Sequence, residues 1–261
     1  KNENGMQRFE TLRNALLKIE GITSLSASSN IPGSQFNQHA IAAAKHPQDD
    51  VGASEALVDY DFLKALNLEL AEGRFFSRDF PADSAGAYVI NETTARQLNL
   101  ASPVAGQEII WQRDEEILRG TVIGVVKDFH FQSLHEPIRP ILFALTGEYF
   151  NHILIKMNTA DFDKKIAAVE KAYNQIEPIF GFEFSFMEDH LNKQYEAEQR
   201  TGNILATFSC IAIIIACFGL FGMSMLTFYQ KIKEISVRKV LGATPANLLV
   251  LLLGDFTRLI L

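Results

Sequence analysis

The chain has only two cysteines among its 261 residues, Cys210 and Cys217, and a single tryptophan, Trp111. Two thiols cannot staple a chain of this length, so a disulfide scaffold is excluded. On a helix the pair would stand about 10 Å apart along the axis, too far to bridge. Catalytic signatures are missing too. The sequence contains no GxxxxGK[ST], CxxC, HExxH or GxSxG, which removes the phosphate-cradling loop, the redox pair, the zinc helix and the nucleophile elbow. No repeat of solenoid period is visible. Charge is absent from one long stretch: Thr201 to Gln230 holds no Asp, Glu, Lys or Arg. Elsewhere charge is plentiful and uneven. Residues 1–200 carry 19 Lys+Arg against 29 Asp+Glu, a net of −10, while residues 201–261 carry 5 against 2, a net of +3. The total of −7 argues against a nucleic-acid binder. An apolar share of 48% excludes a disordered chain.

Within the uncharged stretch, Ile204 to Phe228 is apolar on every side. As a helix these residues reach about 37 Å, more than the roughly 30 Å of a hydrocarbon core. The stretch therefore reads as a transmembrane helix. Lys231, Lys233, Arg238 and Lys239 follow it against one Glu234. The excess of basic residues puts that side in the cytoplasm. Residues 1–200 are then expected outside the inner leaflet, in periplasm or extracellular space, and residues 231–245 in the cytoplasm. A second apolar run, LLVLLLGDFTRLIL from Leu248, ends at Leu261 and reads as a truncated second span. The absence of a leading Met or signal peptide is read as a sign that the chain is a fragment.

The acidic body shows two textures. Phe9, Leu12, Leu16 and Ile19 recur at helical spacing before Gly21, and ITSLSAS (22–28) reads as a strand. HILIKM (152–157) reads as a strand, residues 162–176 as a helix with one apolar stripe, and FEFSFM (182–187) as an alternating strand. These segments predict an α+β, split βαβ unit. The stretch about 55–145 has shorter strands and more turns. It predicts an inserted β-rich subdomain, in which Asn91 caps a helix running to Leu98. The domain reading is a body over 1–188 and a membrane module over 189–261. A helix from Asp189 to Phe228 would form a stalk running into the span at about 204–228. The segment 231–243 would be a separate short charged helix, with Gly242 as its cap.

Candidate chemistry is sparse. Asp128, His130, His135 and Glu136 lie within nine residues, but their spacing fits no metal motif and Pro137 bars a helix. They are read as a polar loop, and no metal or catalytic residue is assigned. Asn91-Glu92-Thr93 matches the glycosylation sequon, which has meaning only in a eukaryotic secretory context. Ala216, Gly219 and Gly222 put small residues in the span, as close helix packing requires.

Several segments are familiar. KEISVRKVLGAT (233–244) after an apolar span resembles the signature of FtsX-like ABC transporter permeases. VDYDFLKALNLELAEGRFFSRDF (58–80), YVINETTARQL (88–98) and GTVIGVVKDFHFQSLHEPIRP (120–140) resemble the periplasmic core domain of MacB-like permeases. AEQRTGNILATFSCIAIIIACFGLFGM (197–223) resembles that domain's entry into the membrane. The resemblance implies a porter-like βαβ part with a small β-rich part, and a non-enzymatic permease subunit of an export or mechanotransmission complex. It implies a cytoplasmic ABC ATPase partner that binds the ATP, a permease dimer in lipid, and a periplasmic adaptor or cargo. It also implies that Lys233, Glu234, Arg238, Lys239, Leu241 and Gly242 form the ATPase-coupling segment. The alternative is a membrane-tethered extracytoplasmic sensor with no ATPase partner.

Overall fold

The computed structural model describes residues 3–132, 136–146, 150–177, 181–242 and 244. The chain divides into two compact units, residues 1–195 and 196–261. In chain order the elements are α1 (Glu3–Leu16), β1 (Ile22–Ser28), β2 (Gln38–Ala43), β3 (Val51–Val58), α2 (Phe62–Ala65), β4 (Leu70–Gly73), β5 (Ala87–Asn91), α3 (Glu92–Gln97), β6 (Glu108–Arg113), β7 (Glu116–Val126), β8 (Ile141–Leu145), β9 (His152–Met157), α4 (Phe162–Ile176) and α5 (Met187–Val240).

Six strands of the first unit close on themselves. The pairing runs β2-β6-β7-β5-β8-β3, and β3 pairs back onto β2. β3–β8 and β5–β7 are parallel, and the other four pairs are antiparallel. Closure leaves the ring without an open edge, which removes the liability of an unpaired strand. β7 is long because one of its edges serves two partners. Glu116–Thr121 pairs with β6, and Gly124–Val126 pairs with β4. Alternate residues point inward and fill the barrel: Ile41, Leu57, Tyr88, Ile90, Ile109, Trp111, Val122 and Leu142 are buried together. Outside β3, β5 and β8, a second core joins Phe62, Phe75, Phe76, Phe131 and Phe143.

The barrel takes in β2 and β3, so the β-rich part begins at Gln38 rather than near residue 55. The sequence hides β2 because QHAIAA has a single β-branched residue.

β1 and β9 pair antiparallel beside this barrel, and β1 meets β3 only through Ser28 and Val58. One face of the pair carries Ile22, Leu25 and Ala27, which pack with Phe9, Leu12 and Leu16 of α1 and Val169 of α4. The expected stripe residues therefore form a core, although α1 ends at Leu16, before Ile19. The predicted third strand is not formed. Residues 181–186 have no regular structure, and Phe184 and Phe186 are exposed. Their rings lean instead on Phe162 of α4, with centroids 6.2 Å and 5.4 Å away. Alternation gives a segment two faces, but a strand also needs a partner edge.

The other face of β1 is a line of serines. Ser26 Oγ donates to Oδ1 of Asp59 at 2.5 Å, and both residues are fully buried. Oδ2 of Asp59 has no hydrogen-bond partner among the described residues. Burial pushes the Asp59 carboxyl up to about 6. A raised folded-state value means that the native protein holds a proton the unfolded chain has released. Stability should therefore fall as pH rises from about 4 to about 6, by an amount on the order of 2 kcal/mol. We predict that Asp59→Asn flattens this stretch of the stability curve. Chemical unfolding of the purified protein from pH 4 to 8 checks it, and an unchanged slope would remove Asp59 as its source.

Candidate functional site

In its helical state the apolar stretch is continuous with its flanks. α5 spans 54 residues, which is about 81 Å at 1.5 Å per residue. No Gly-Pro or Pro breaker stands between Phe228 and Val240, so the charged segment extends α5 and is not a separate helix. The expected helix from Asp189 to Phe228 is thus longer at both ends.

The part from Arg200 to Val240 contains a window of mean hydropathy 2.6 that is 0% buried. Ile213, Phe218, Phe221 and Leu226 all lie open. Such a surface calls for hydrocarbon around it. Three of its hydroxyls are satisfied within the helix. The hydroxyls of Thr207, Ser209 and Thr227 donate to the carbonyls four residues back, at 2.8, 2.8 and 2.9 Å. That is how a helix in lipid hides a hydroxyl. Cys210 and Cys217 are free and exposed on this stretch. Ala216, Gly219 and Gly222 step three residues at a time, so they share one side with a drift of about 60° per step. A Cβ built on Gly219 or Gly222 meets nothing within 4 Å. The small-residue side is therefore open among the described residues.

The basic end follows without a break. Lys233, Glu234, Arg238 and Lys239 are all exposed. Glu234 and Arg238 form an i,i+4 ion pair at 2.7 Å. Lys239 falls on the side of Ile232 and Ile235, seven and four residues earlier. Leu241 and Gly242 turn out of the helix, with Gly242 at φ +92° and its N–H 3.2 Å from the Lys239 carbonyl. A left-handed residue at a helix end favours glycine, which agrees with the cap expected there. Ala243 and the second apolar run from Leu248 lie outside the described residues.

The described carboxylates of the polar loop after β7 are engaged by neighbouring groups. Asp128 accepts from Thr93 N–H at 2.9 Å and from Thr93 Oγ1 at 2.8 Å, and pairs with Arg96 at 3.3 Å. Glu92 accepts in return from Asp128 N–H at 2.9 Å. The exchange ties the start of α3 to the loop. Glu136 pairs with Arg139 at 2.8 Å, and His130 is exposed. His135 lies outside the described residues. Among the described residues no group of three metal-ligating side chains forms. Asn91 of the sequon is fully buried, so it is no acceptor for a glycan.

One polar group inside the barrel escaped the sequence reading. Glu55 of β3 is buried and lies 3.0 Å from Arg113 of β6 and 3.4 Å from His39 of β2. Burial raises the Glu55 carboxyl, while Arg113 and then His39 pull it back down. All three strands meet where the ring closes, so the cluster fastens that seam. Its members are 16, 58 and 74 positions apart in pairs, a separation that local patterns cannot bridge.

The family model for the MacB-like periplasmic core domain matches residues 6–172. The chain belongs to that family. Among curated relatives, the macrolide export ATP-binding/permease protein MacB of Neisseria gonorrhoeae is 25% identical over 215 residues, which is 77% of this chain and 32% of that protein. The MacB of Chromobacterium violaceum is 26% identical over 210 residues. The ABC transporter permease YknZ of Bacillus subtilis is 21% identical over 242 residues, 88% of this chain and 57% of YknZ. The chain thus spans about a third of the length of its MacB relatives. A solved extracellular domain of the noncanonic transporter YknZ aligns with a TM-score of 0.47 at 13% identity, over 67% of this chain and 83% of that one. The matched MacB-like region ends within α4, so α5 lies beyond it.

Proposed function

We propose that the chain is part of a transmembrane permease subunit of an ABC-type export or mechanotransmission complex. A cytoplasmic ATPase subunit binds and hydrolyses the ATP, and the permease itself has no catalytic centre or cofactor. The observation that carries this reading is α5. One uninterrupted helix follows a MacB-like domain, holds an apolar stretch of membrane length, and ends in a basic segment. A helix is stiff along its axis, so a displacement at the basic end is felt along its length.

In this reading the protein sits in a bacterial inner membrane. Residues 1–200 face the periplasm and residues 231–245 the cytoplasm, as the basic flank requires. The ATPase docks on Lys233, Glu234, Arg238, Lys239, Leu241 and Gly242. The open side at Ala216, Gly219 and Gly222 receives a helix of a second permease copy or of the same permease. A periplasmic adaptor or cargo engages the outer domain.

The test is reconstitution of the full-length permease with its ATPase in lipid nanodiscs. ATP turnover should rise when the permease is present. An ATPase that neither binds the permease nor changes its turnover would overturn the reading.

A further inference from the structure

The two helices of the βαβ layer are wider than the strands beneath them. α1 and α4 pack on one face of the β1–β9 pair. Two helices side by side cover about 20 Å, at roughly 10 Å each. Two strands at about 4.8 Å spacing cover about 10 Å, so a full floor takes four. β1 already meets β3 on its far side, at Ser28. The other edge of β9 has no strand partner among the described residues.

Burial is lopsided in the same direction. Under α1 the floor is complete: Phe9, Leu12, Leu16, Leu25 and Ala27 are all buried. Toward β9 it thins. Ile153, Ile155 and Met157 are only half-buried, as are Phe162, Ile166, Tyr173 and Ile176 of the α4 stripe, where Val169 is the buried member. Phe184 and Phe186 stand beyond them, 53% and 52% exposed. The partly covered apolar side chains thus run in one band, from β9 beneath α4 to residues 182–186.

Chain direction says what kind of strand fits there. α1 hands over to β1 within five residues, so the two run antiparallel. Phe9 meets Phe150 with ring centroids 5.5 Å apart, and Arg8 pairs with Glu177 at 2.9 Å. Both contacts put the first half of α1 at the Ser28 end of β1, which is the His152 end of β9. A strand leading into Glu3 finishes at that end, so it runs parallel to β1 and antiparallel to β9. Strand–α1–β1 with β9 between the two strands is the split βαβ arrangement. Residues 182–186 return from the end of α4 and run parallel to β9. They are described in the structure and still do not pair with β9, so the strand that fits lies between them.

We infer that the open edge of β9 receives a strand from the stretch of the permease chain just before Lys1, antiparallel to β9, and that residues 182–186 pair on its far side. The chain spans 32% of the gonococcal MacB, and a permease of that length has chain to supply it. The added strand matches the 6 residues of β9 and carries apolar side chains at alternate positions beneath α4. Residues 182–186 lead straight into Met187, the first residue of α5. The completed sheet therefore ties the root of α5 by backbone hydrogen bonds. The inference concerns the MacB-like domain and holds whether or not an ATPase docks.

The experiment uses full-length permease in nanodiscs with Cys210 and Cys217 replaced by Ala. Lys156→Cys, at an exposed position of β9, is combined with single cysteines stepped through roughly ten residues before Lys1. Mild oxidation should give an intrachain disulfide at alternate positions of one short run, because neighbouring strands bring Cβ atoms within about 4.5–5.5 Å. Hydrogen exchange gives a second readout. Amides of His152–Met157 and of 182–186 should exchange at least about tenfold faster when that run is replaced by a Gly-Ser linker of equal length, while unchanged β6 and β7 certify folding. Lys156→Cys with Ser185→Cys should not cross-link, since across an intervening strand the two lie about 10 Å apart. A disulfide between 156 and 185 would seat residues 182–186 directly on β9 and overturn the inference. A disulfide joining position 156 of two copies would make the edge a homodimer contact and overturn it as well. So would exchange at β9 that ignores the linker.

Discussion

Reversing one charge, Arg238→Glu, is expected to abolish stimulation of the partner ATPase while leaving α5 folded. The Glu234–Arg238 pair is about half exposed on both sides. Exposed i,i+4 pairs contribute only about 0.3–0.5 kcal/mol to a helix. The fold therefore loses little. The electrostatic change is larger. Residues 231–240 hold four cations and one anion, a net of +3, and the substitution leaves +1. A like charge forced against a partner surface costs several kcal/mol. Stimulation should drop at least about tenfold. Glu234→Lys should behave in the same way, because it breaks the same pair and alters the same pattern. The exchange Glu234→Arg with Arg238→Glu separates pattern from total. It keeps the net charge and an ion pair, so recovery would show that net charge matters, and continued loss would show that positions matter. ATP turnover of reconstituted complexes, with helicity followed by circular dichroism, reads both effects. Full stimulation in Arg238→Glu would remove the segment from the docking surface.

Asn91→Ala should be the most destabilising single polar change in the MacB-like domain. Asn91 ends β5 and caps α3, and it is fully buried. Its Oδ1 accepts from Thr94 N–H at 3.0 Å, from Thr94 Oγ1 at 2.6 Å and from Ile141 N–H at 3.2 Å. Its Nδ2 donates to the Arg139 carbonyl at 3.1 Å. Loss of a helix cap costs about 1 kcal/mol, and each buried polar group left without a partner costs about 1–3 kcal/mol more. Thr94 Oγ1 still reaches Ile141 N–H at 2.9 Å, which spares one donor. The expected loss is about 3 kcal/mol, or roughly 6–12 °C in Tm. Asn91→Asp keeps the acceptor but buries a charge, so it should also destabilise. A fall of less than about 2 °C for Asn91→Ala would show that the cap and its links to β8 are dispensable.

The elements that carry local periodicity were legible in the sequence. The buried stripe of α1, the span in α5, β9, α4 and the Asn91 cap follow from spacing and residue type within a few turns. Barrel closure was not legible, because it depends on β2 meeting β3 and β6 at once. Nothing in QHAIAA announces two partners. FEFSFM misled for the converse reason: its alternation is real, but its phenylalanines pack on α4 without an edge to pair with. The charged end was legible as a helix, and its continuity with the span follows from the lack of any breaker. The Glu55 cluster is a product of long-range pairing, since His39, Glu55 and Arg113 come together only where the ring closes.

The central claim is that one helix joins an outer MacB-like domain to a cytoplasmic docking segment. Site-directed thiol labelling tests it most directly. In a full-length permease with Cys210 and Cys217 replaced by Ala, single cysteines are placed by Gln48→Cys and Lys233→Cys. Cells with a permeable outer membrane are treated with a membrane-impermeant maleimide. Cys at 48 should label in intact cells, and Cys at 233 only after the inner membrane is opened. Labelling at 233 in intact cells, with protection at 48, would reverse the topology and contradict the account.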